Sequence, residues 1–247
     1  TSGGTNMKIV CYDLETNGFQ PTILQFAFIG YDSEKTESLQ LVEYVNPEEA
    51  LDRSGAEVHG ITSVQLSGMN TFDFYADDII ELLRGSVLIG FNNHSFDDPK
   101  LAKNLGITVE ELNESLSGNI DVKTLCNQVS IRGKLEVIAE QHRLQNPMPH
   151  NAYGDVGVTI RLLYRLLNDG SVELPVDIGI SKEDFMELIE ESVDLEDESY
   201  LIIETEPAQM YSSMVENGIV QFGPYAGKTL DELRLIDEYL WNSLVNG

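Results

Sequence analysis

Apolar positions in the first two thirds of the chain fall into two patterns. Short continuous runs have the length of buried strands, and longer stretches carry a stripe at helical spacing. Ile9 to Tyr12, Ile23 to Tyr31 and Leu39 to Val45 are the first three runs, the last closed by Asn46-Pro47. Val87 to Phe91 is a fourth. Helical spacing marks Phe72–Leu83, Pro99–Asn104, Thr108–Leu116, Leu135–Gln141 and Val156–Leu167. In the last of these Ile160, Leu163, Leu166 and Leu167 form one core-facing stripe. Three strands, a helix, a further strand and then helices predict an α/β fold. Its mixed sheet would have three antiparallel strands followed by parallel strands, with helices on both faces.

The pattern breaks at Asn168-Asp169-Gly170-Ser171, which ends a helix and marks a boundary. Beyond it, Ser181-Lys182-Glu183-Asp184 has the form of a helix start, and Phe185, Leu188 and Ile189 supply a short apolar face. Asp194 to Glu206 is acidic and reads as a linker with an extended piece at Tyr200 to Ile203. Val220 to Leu230 is Gly-rich, as in a hairpin, and Asp237 to Trp241 follows as an aromatic-bearing helix. Three units are expected: a main domain at 7–170, an acidic helix and linker at 171–217, and a small α+β module at 218–247. A chain ending near Gly170 is then expected to fold. Thr1 to Asn6, Gly/Ser/Thr-rich and ahead of Met7, reads as an added tail outside the fold.

Candidate chemistry starts at Asp13 and Glu15, directly after the first apolar run. Residues two apart on a strand share a face. Two acids there repel each other and are costly to desolvate, and a divalent cation between them removes both problems. A lone Asp-x-Glu is more often a solvated strand end. Three later segments shift the balance. Leu88 to Asp97 is an apolar strand ending in polar residues and an acid, Asp97. His150 stands five positions before Asp155, which opens the last helical run. Asp121 opens another, Val122 to Val129.

Acids and a histidine in this order, with these neighbours, resemble the DnaQ-like 3′–5′ exonuclease superfamily in its branch with a histidine in the last motif. The resemblance runs from about Met7 to Leu167. It includes Val58-His59-Gly60-Ile61-Thr62, similar to the family's "HGIT" segment, and Gly133 to Ala139, similar to the helix before the last motif. Gly90-Phe91-Asn92-Asn93 with Phe96-Asp97 is similar in spelling to the exonuclease I and exonuclease X groups, with Asn92 where His is usual. The resemblance implies an RNase H-like sheet. It implies two Mg²⁺ (or Mn²⁺) ions held by Asp13, Glu15, Asp97 and Asp155, hard oxygen donors suited to such ions. It makes His150 the general base and sets Leu14 and Thr16 against the terminal nucleotide. The substrate implied is nucleic acid with a free 3′ end, single-stranded DNA being preferred. An RNA-trimming 3′–5′ exonuclease is the rival within the fold. Asp121 is expected to cap a helix, Asp98 to be a helix-start residue before Pro99, His59 to bond backbone, and His142 to be solvated. The C-terminal segment resembles the small module of exonuclease X-like proteins. Pro224 and Ala226 stand there in place of residues that are often basic. Trp241 is expected to centre a mini-core.

Charge complicates this picture. The net charge is −27, whereas nucleic-acid proteins usually present a basic face. Residues 7–170 hold 12 Lys+Arg against 24 Asp+Glu, and residues 171–247 hold 3 against 18. The acidity is thus concentrated in the tail, and an acidic nucleic-acid mimic is the rival from another class. Cys11 and Cys126 read as buried thiols, which suits a reducing cytoplasm, bacterial or phage-infected. No apolar run approaches the ~20 residues of a membrane span, so no membrane partner is expected.

Overall fold

The computed structural model describes residues 7–202, 215–216, 218–220, 225–237, 241 and 245. Five strands form one sheet in the order β3-β2-β1-β4-β5. β1 (Lys8–Thr16), β2 (Ile23–Asp32) and β3 (Glu37–Tyr44) are antiparallel neighbours. After α1 (Arg53–His59), α2 (Ser63–Leu66) and α3 (Ala76–Leu83), β4 (Ser86–Gly90) enters parallel to β1. α4 (Asp97–Leu105) and α5 (Val109–Ser115) lead to β5 (Gly118–Asp121), parallel to β4. α6 (Val122–Gln128), α7 (Leu135–Gln141), α8 (Ala152–Asn168) and α9 (Lys182–Ser192) follow. A two-stranded ribbon of β6 (Val215–Glu216) and β7 (Ile219–Val220) precedes the C-terminal helix Leu230–Ile236. The mixed sheet between helices is the RNase H-like architecture. Among the described residues no helix is long and apolar enough to cross a membrane.

Alternation along β1 sets the two cores. Ile9 and Cys11 face α8, while Val10, Tyr12 and Leu14 face α3 and α4. β2 is buried along its full length because both faces of the sheet are covered. β1 pairs with β4 only as far as Cys11, opposite Ile89. Asp13 and Glu15 therefore lie past the carboxyl end of β4, on the α8 side. Ligand crevices of open α/β sheets form at such strand ends.

Several expectations needed correction. The stretch 72–83 splits into a 3₁₀ turn, Phe72–Phe74, and α3, with Tyr75 between them. β5 was missed because Gly118-Asn119-Ile120-Asp121 has a single apolar residue. The "HGIT" segment links two short helices; Thr62 caps α2 through a reciprocal bond pair with Gln65. α8 begins at Ala152, four residues before the expected start.

Residues beyond Gly170 also differ from expectation. Phe185 and Ile189 of α9 are fully buried in the same core as Ile9, Ile29 and α8. Tyr200 lies against Gly157, where an added Cβ would sit 2.2 Å from its hydroxyl. Leu201 bridges to Leu144. Residues 182–201 thus complete the main core, and Tyr200 is not part of an extended linker. Residues 203–206 of that expected linker lie outside the described residues, as do 221–224 of the expected hairpin and 238–240 of the expected helix.

Candidate active site

β1, the central strand, carries Asp13 and Glu15 past the carboxyl end of β4, and α8 brings Asp155 in its first turn against the same face. One ligand oxygen of each lies within 4.8 Å of the other two. The pairing of β1 with β2 slips between Glu15 and Thr16; such irregularities re-aim side chains beside active sites. Asp97 opens α4, and its Oδ1 is buried without a hydrogen-bond partner. Its oxygens are not among the three close ones, but it faces Asp13 electrostatically.

Burial pushes the Asp13 carboxyl up to about 7. Glu15, Asp97 and Asp155 are held well above the usual carboxylate range, by burial first and then by repulsion from Asp13. Asp13, Glu15 and Asp155 keep some contact with solvent, so they ionise at a cost and remain accessible. Three crowded carboxylates, with the orphan buried oxygen of Asp97 as a fourth donor, fit a hard divalent cation.

The loop before α8 is built for this cluster. Asn146 Nδ2 donates to Asp155 Oδ1, and Asn146 Oδ1 accepts from the Met148 amide at 2.9 Å. Gly154 allows the crossing: a Cβ there would meet the Met148 carbonyl at 2.4 Å. His150 follows in the left-handed region at φ 60°, a conformation uncommon for residues other than glycine and concentrated at functional sites. The structure gives His150 no contact with the acids. Burial lowers the pKa of His59, and the nearby His150 lowers it further, against the pull of the Thr16 backbone. His59 Nδ1 accepts from the Ile61 amide at 3.0 Å, the expected backbone bond.

A groove of about 330 Å³ runs beside the acids. Leu14, Glu15, Thr16, Phe19, His59 and Phe96 are among its lining residues. Phe19 is 93% exposed.

Lys100 went unread in the sequence. It lies three residues after Asp97, on the same face of α4. Its Nζ donates to Thr16 Oγ1 at 2.7 Å and sits 3.3 Å from the Phe96 ring centroid. Burial lowers its pKa, while Asp97 and Glu15 oppose that shift. Asp98 is more than a helix-start residue. Buried, it accepts from Tyr12 Oη, from Asn93 Nδ2 at 3.2 Å and from Asn119 Nδ2 at 2.9 Å. Asp121 does cap α6, accepting from Thr124 N, and also holds the Asn92 amide at 2.9 Å. His142 Nδ1 lies 2.9 Å from the Ile138 carbonyl oxygen rather than turning wholly to solvent. His94 Nδ1 lies 4.0 Å from Asp121 Oδ2.

The mixed sheet and the acid cluster at the end of β1 are the arrangement of the DnaQ-like superfamily. The exonuclease family model matches residues 10–163, and the chain belongs to that family. It is 24% identical over 172 residues to the 3′–5′ exonuclease DinG of Bacillus subtilis (strain 168), covering 65% of this chain and 18% of that protein. The fold is shared with E. coli exonuclease I in its zinc-bound complex with single-stranded DNA (TM-score 0.57, 20% identity, 68% of this chain and 42% of that one). The exonuclease I complex with a dT13 oligonucleotide gives a TM-score of 0.55 at 21% identity, covering 66% and 41%. The chain thus spans less than half the length of these relatives.

Proposed function

We propose that the chain is a metal-dependent 3′–5′ exonuclease that releases nucleoside monophosphates, with single-stranded DNA as substrate. The observation that carries this is the convergence of Asp13, Glu15 and Asp155 within 4.8 Å at one side of an apolar groove. Asp13, Glu15, Asp97 and Asp155 would hold two Mg²⁺ or Mn²⁺ ions. Bound divalent ions neutralise phosphoryl charge and favour in-line displacement. Leu14 and Thr16 would contact the terminal nucleotide from the groove wall. Phe19 and Phe96 offer exposed rings on which unpaired bases stack, each worth roughly 1–3 kcal/mol. Lys100, one cation amid the acids, suits the phosphate. His150 would accept the proton of the attacking water, the role that an imidazole most often takes in general-base catalysis. The small groove and the acidic composition both favour a single strand over broad contact with duplex.

The test is Mg²⁺-dependent digestion of end-labelled DNA and RNA oligonucleotides. Stepwise release of mononucleotides from the 3′ end of single-stranded DNA is expected, with 3′-phosphorylated and circular strands resistant. Faster trimming of RNA would transfer the reading to an exoribonuclease. Binding without hydrolysis would leave an acidic binding protein.

A further inference from the structure

The C-terminal module carries a buried carboxyl group that reaches the His150 loop. Asp237, directly after the helix Leu230–Ile236, is 1% exposed. Its Oδ2 accepts from Tyr44 Oη at 2.6 Å, from Asn151 Nδ2 at 3.0 Å and from Tyr225 Oη at 3.2 Å. Asn151 is the neighbour of His150 and the N-cap of α8, its Oδ1 accepting from the Tyr153 amide at 3.1 Å. The same Nδ2 also meets Tyr44 Oη at 3.1 Å. One residue earlier, the Ile236 carbonyl accepts from Gln65 Nε2 at 3.3 Å, on the helix that follows His59. The end of the C-terminal helix is therefore tied both to the His150 turn and to the helix beside His59. Val220, Tyr225 and Leu233 bury themselves in the same cluster as Leu24, Ile61 and Met148.

Three donors converging on one buried side-chain oxygen make a geometrically fixed joint, because each bond of such a network limits where the others can point. The joint sits one residue from a histidine held at φ 60°, which needs its surroundings to hold it there.

We propose that the C-terminal module is a clamp on the catalytic loop, and that Asp237 is a positioning residue which holds His150 in its working conformation through Asn151. This rests on the reading of His150 as general base. It gives the module a role that requires no contact with nucleic acid.

The experiment uses the full chain and compares Asp237→Asn, Tyr225→Phe and a control, Leu235→Ala, whose side chain is 81% exposed on the same helix. Asp237→Asn should lower kcat on an oligonucleotide by roughly 10- to 100-fold, the worth of a small misplacement of a catalytic group. KM and metal affinity should change little. Placed on a His150→Ala background, the same substitution should cost nothing further, because the group it positions is gone. Tyr225→Phe, which keeps the packing, should lower kcat about two- to tenfold, the range of one hydrogen bond, and Leu235→Ala should be neutral. Amide exchange at Asn151 and Tyr153 should speed up in Asp237→Asn. A wild-type kcat in folded Asp237→Asn, or an equal loss with and without His150, would overturn the clamp. If Asp237→Asn does not fold, an unaltered kcat in Tyr225→Phe would overturn it instead. A wild-type chain that hydrolyses nothing would defeat the nuclease reading, whereas unchanged exchange at Asn151 and Tyr153 would defeat the clamp on its own.

Discussion

The acid cluster and the segment after Gly170 are built by opposite rules. Asp13, Glu15 and Asp155 are placed by periodicity: spacing two on a strand, and the first turn of a helix that packs on that strand's face. Phe185, Ile189 and Tyr200 are placed by packing against residues far away in sequence, with Tyr200 docking on a bare glycine, Gly157. The site is thus a cluster of groups that repel one another, while residues 182–201 supply apolar cover without chemistry. Stability and activity are expected to separate along this line.

Removing the tail should have the largest effect. A chain ending at Gly170 would strip Phe185, Leu188, Ile189 and Tyr200 from the core, each worth roughly 1.5–3 kcal/mol when fully buried. That is comparable with the whole stability of a domain, about 5–15 kcal/mol. The truncated chain should be unfolded or molten by near-ultraviolet circular dichroism, while a chain ending after Ile202 should recover the main core. A cooperatively folded 7–170 fragment would show that α9 is an ornament and restore the boundary at Gly170.

The opposite behaviour is expected at Asp13. Asp13→Asn should abolish Mg²⁺-dependent hydrolysis while the metal-free melting temperature stays level or rises, because a repelling buried charge is lost. Near-normal turnover would remove Asp13 from the site.

This division explains what the sequence disclosed. Strands β1 to β4 and helix α7 were legible because their apolar runs and stripes match one period each. The convergence of Asp13, Glu15 and Asp155 was legible because the spacing of motifs survives without knowledge of packing. β5 was not, since an edge strand in which only Ile120 is apolar has no run to detect. Lys100 was hidden for another reason: it contacts Thr16, 84 positions away. The Asp237 joint, with Tyr44 193 positions away, is beyond any local pattern.

His150→Ala should have a smaller effect on the site than Asp13→Asn. A positioned general base is worth roughly 10²–10⁴-fold in kcat, and the four acids remain, so metal affinity should persist. Calorimetric titration with Mn²⁺ alongside single-turnover hydrolysis separates the two. Loss of metal binding would make His150 a ligand; no loss of either would take the loop out of catalysis.

The smallest expected effect is the pH dependence of the metal-free fold. Asp13 is raised from an unfolded value of about 3.9 to about 7 by burial, and Glu15, Asp97 and Asp155 are raised as well. Across that interval the native state holds protons that the unfolded chain has released. Stability from Asp13 is therefore fully present below pH ~4 and lost as pH rises through 7, with a slope of at most about 1.4 kcal/mol per pH unit for each proton, and the other three acids act in the same direction. Other carboxylates titrate over the same range, so the informative quantity is the difference between wild type and Asp13→Asn. In chelator, the variant should gain on the wild type in melting temperature between pH 4 and 7. With saturating Mg²⁺ the gap should close or reverse, because an ion that binds the folded acids stabilises only that state. A gap that does not change with pH would mean that these acids are solvated and unstrained, and that the crowding at the end of β1 carries no energetic consequence.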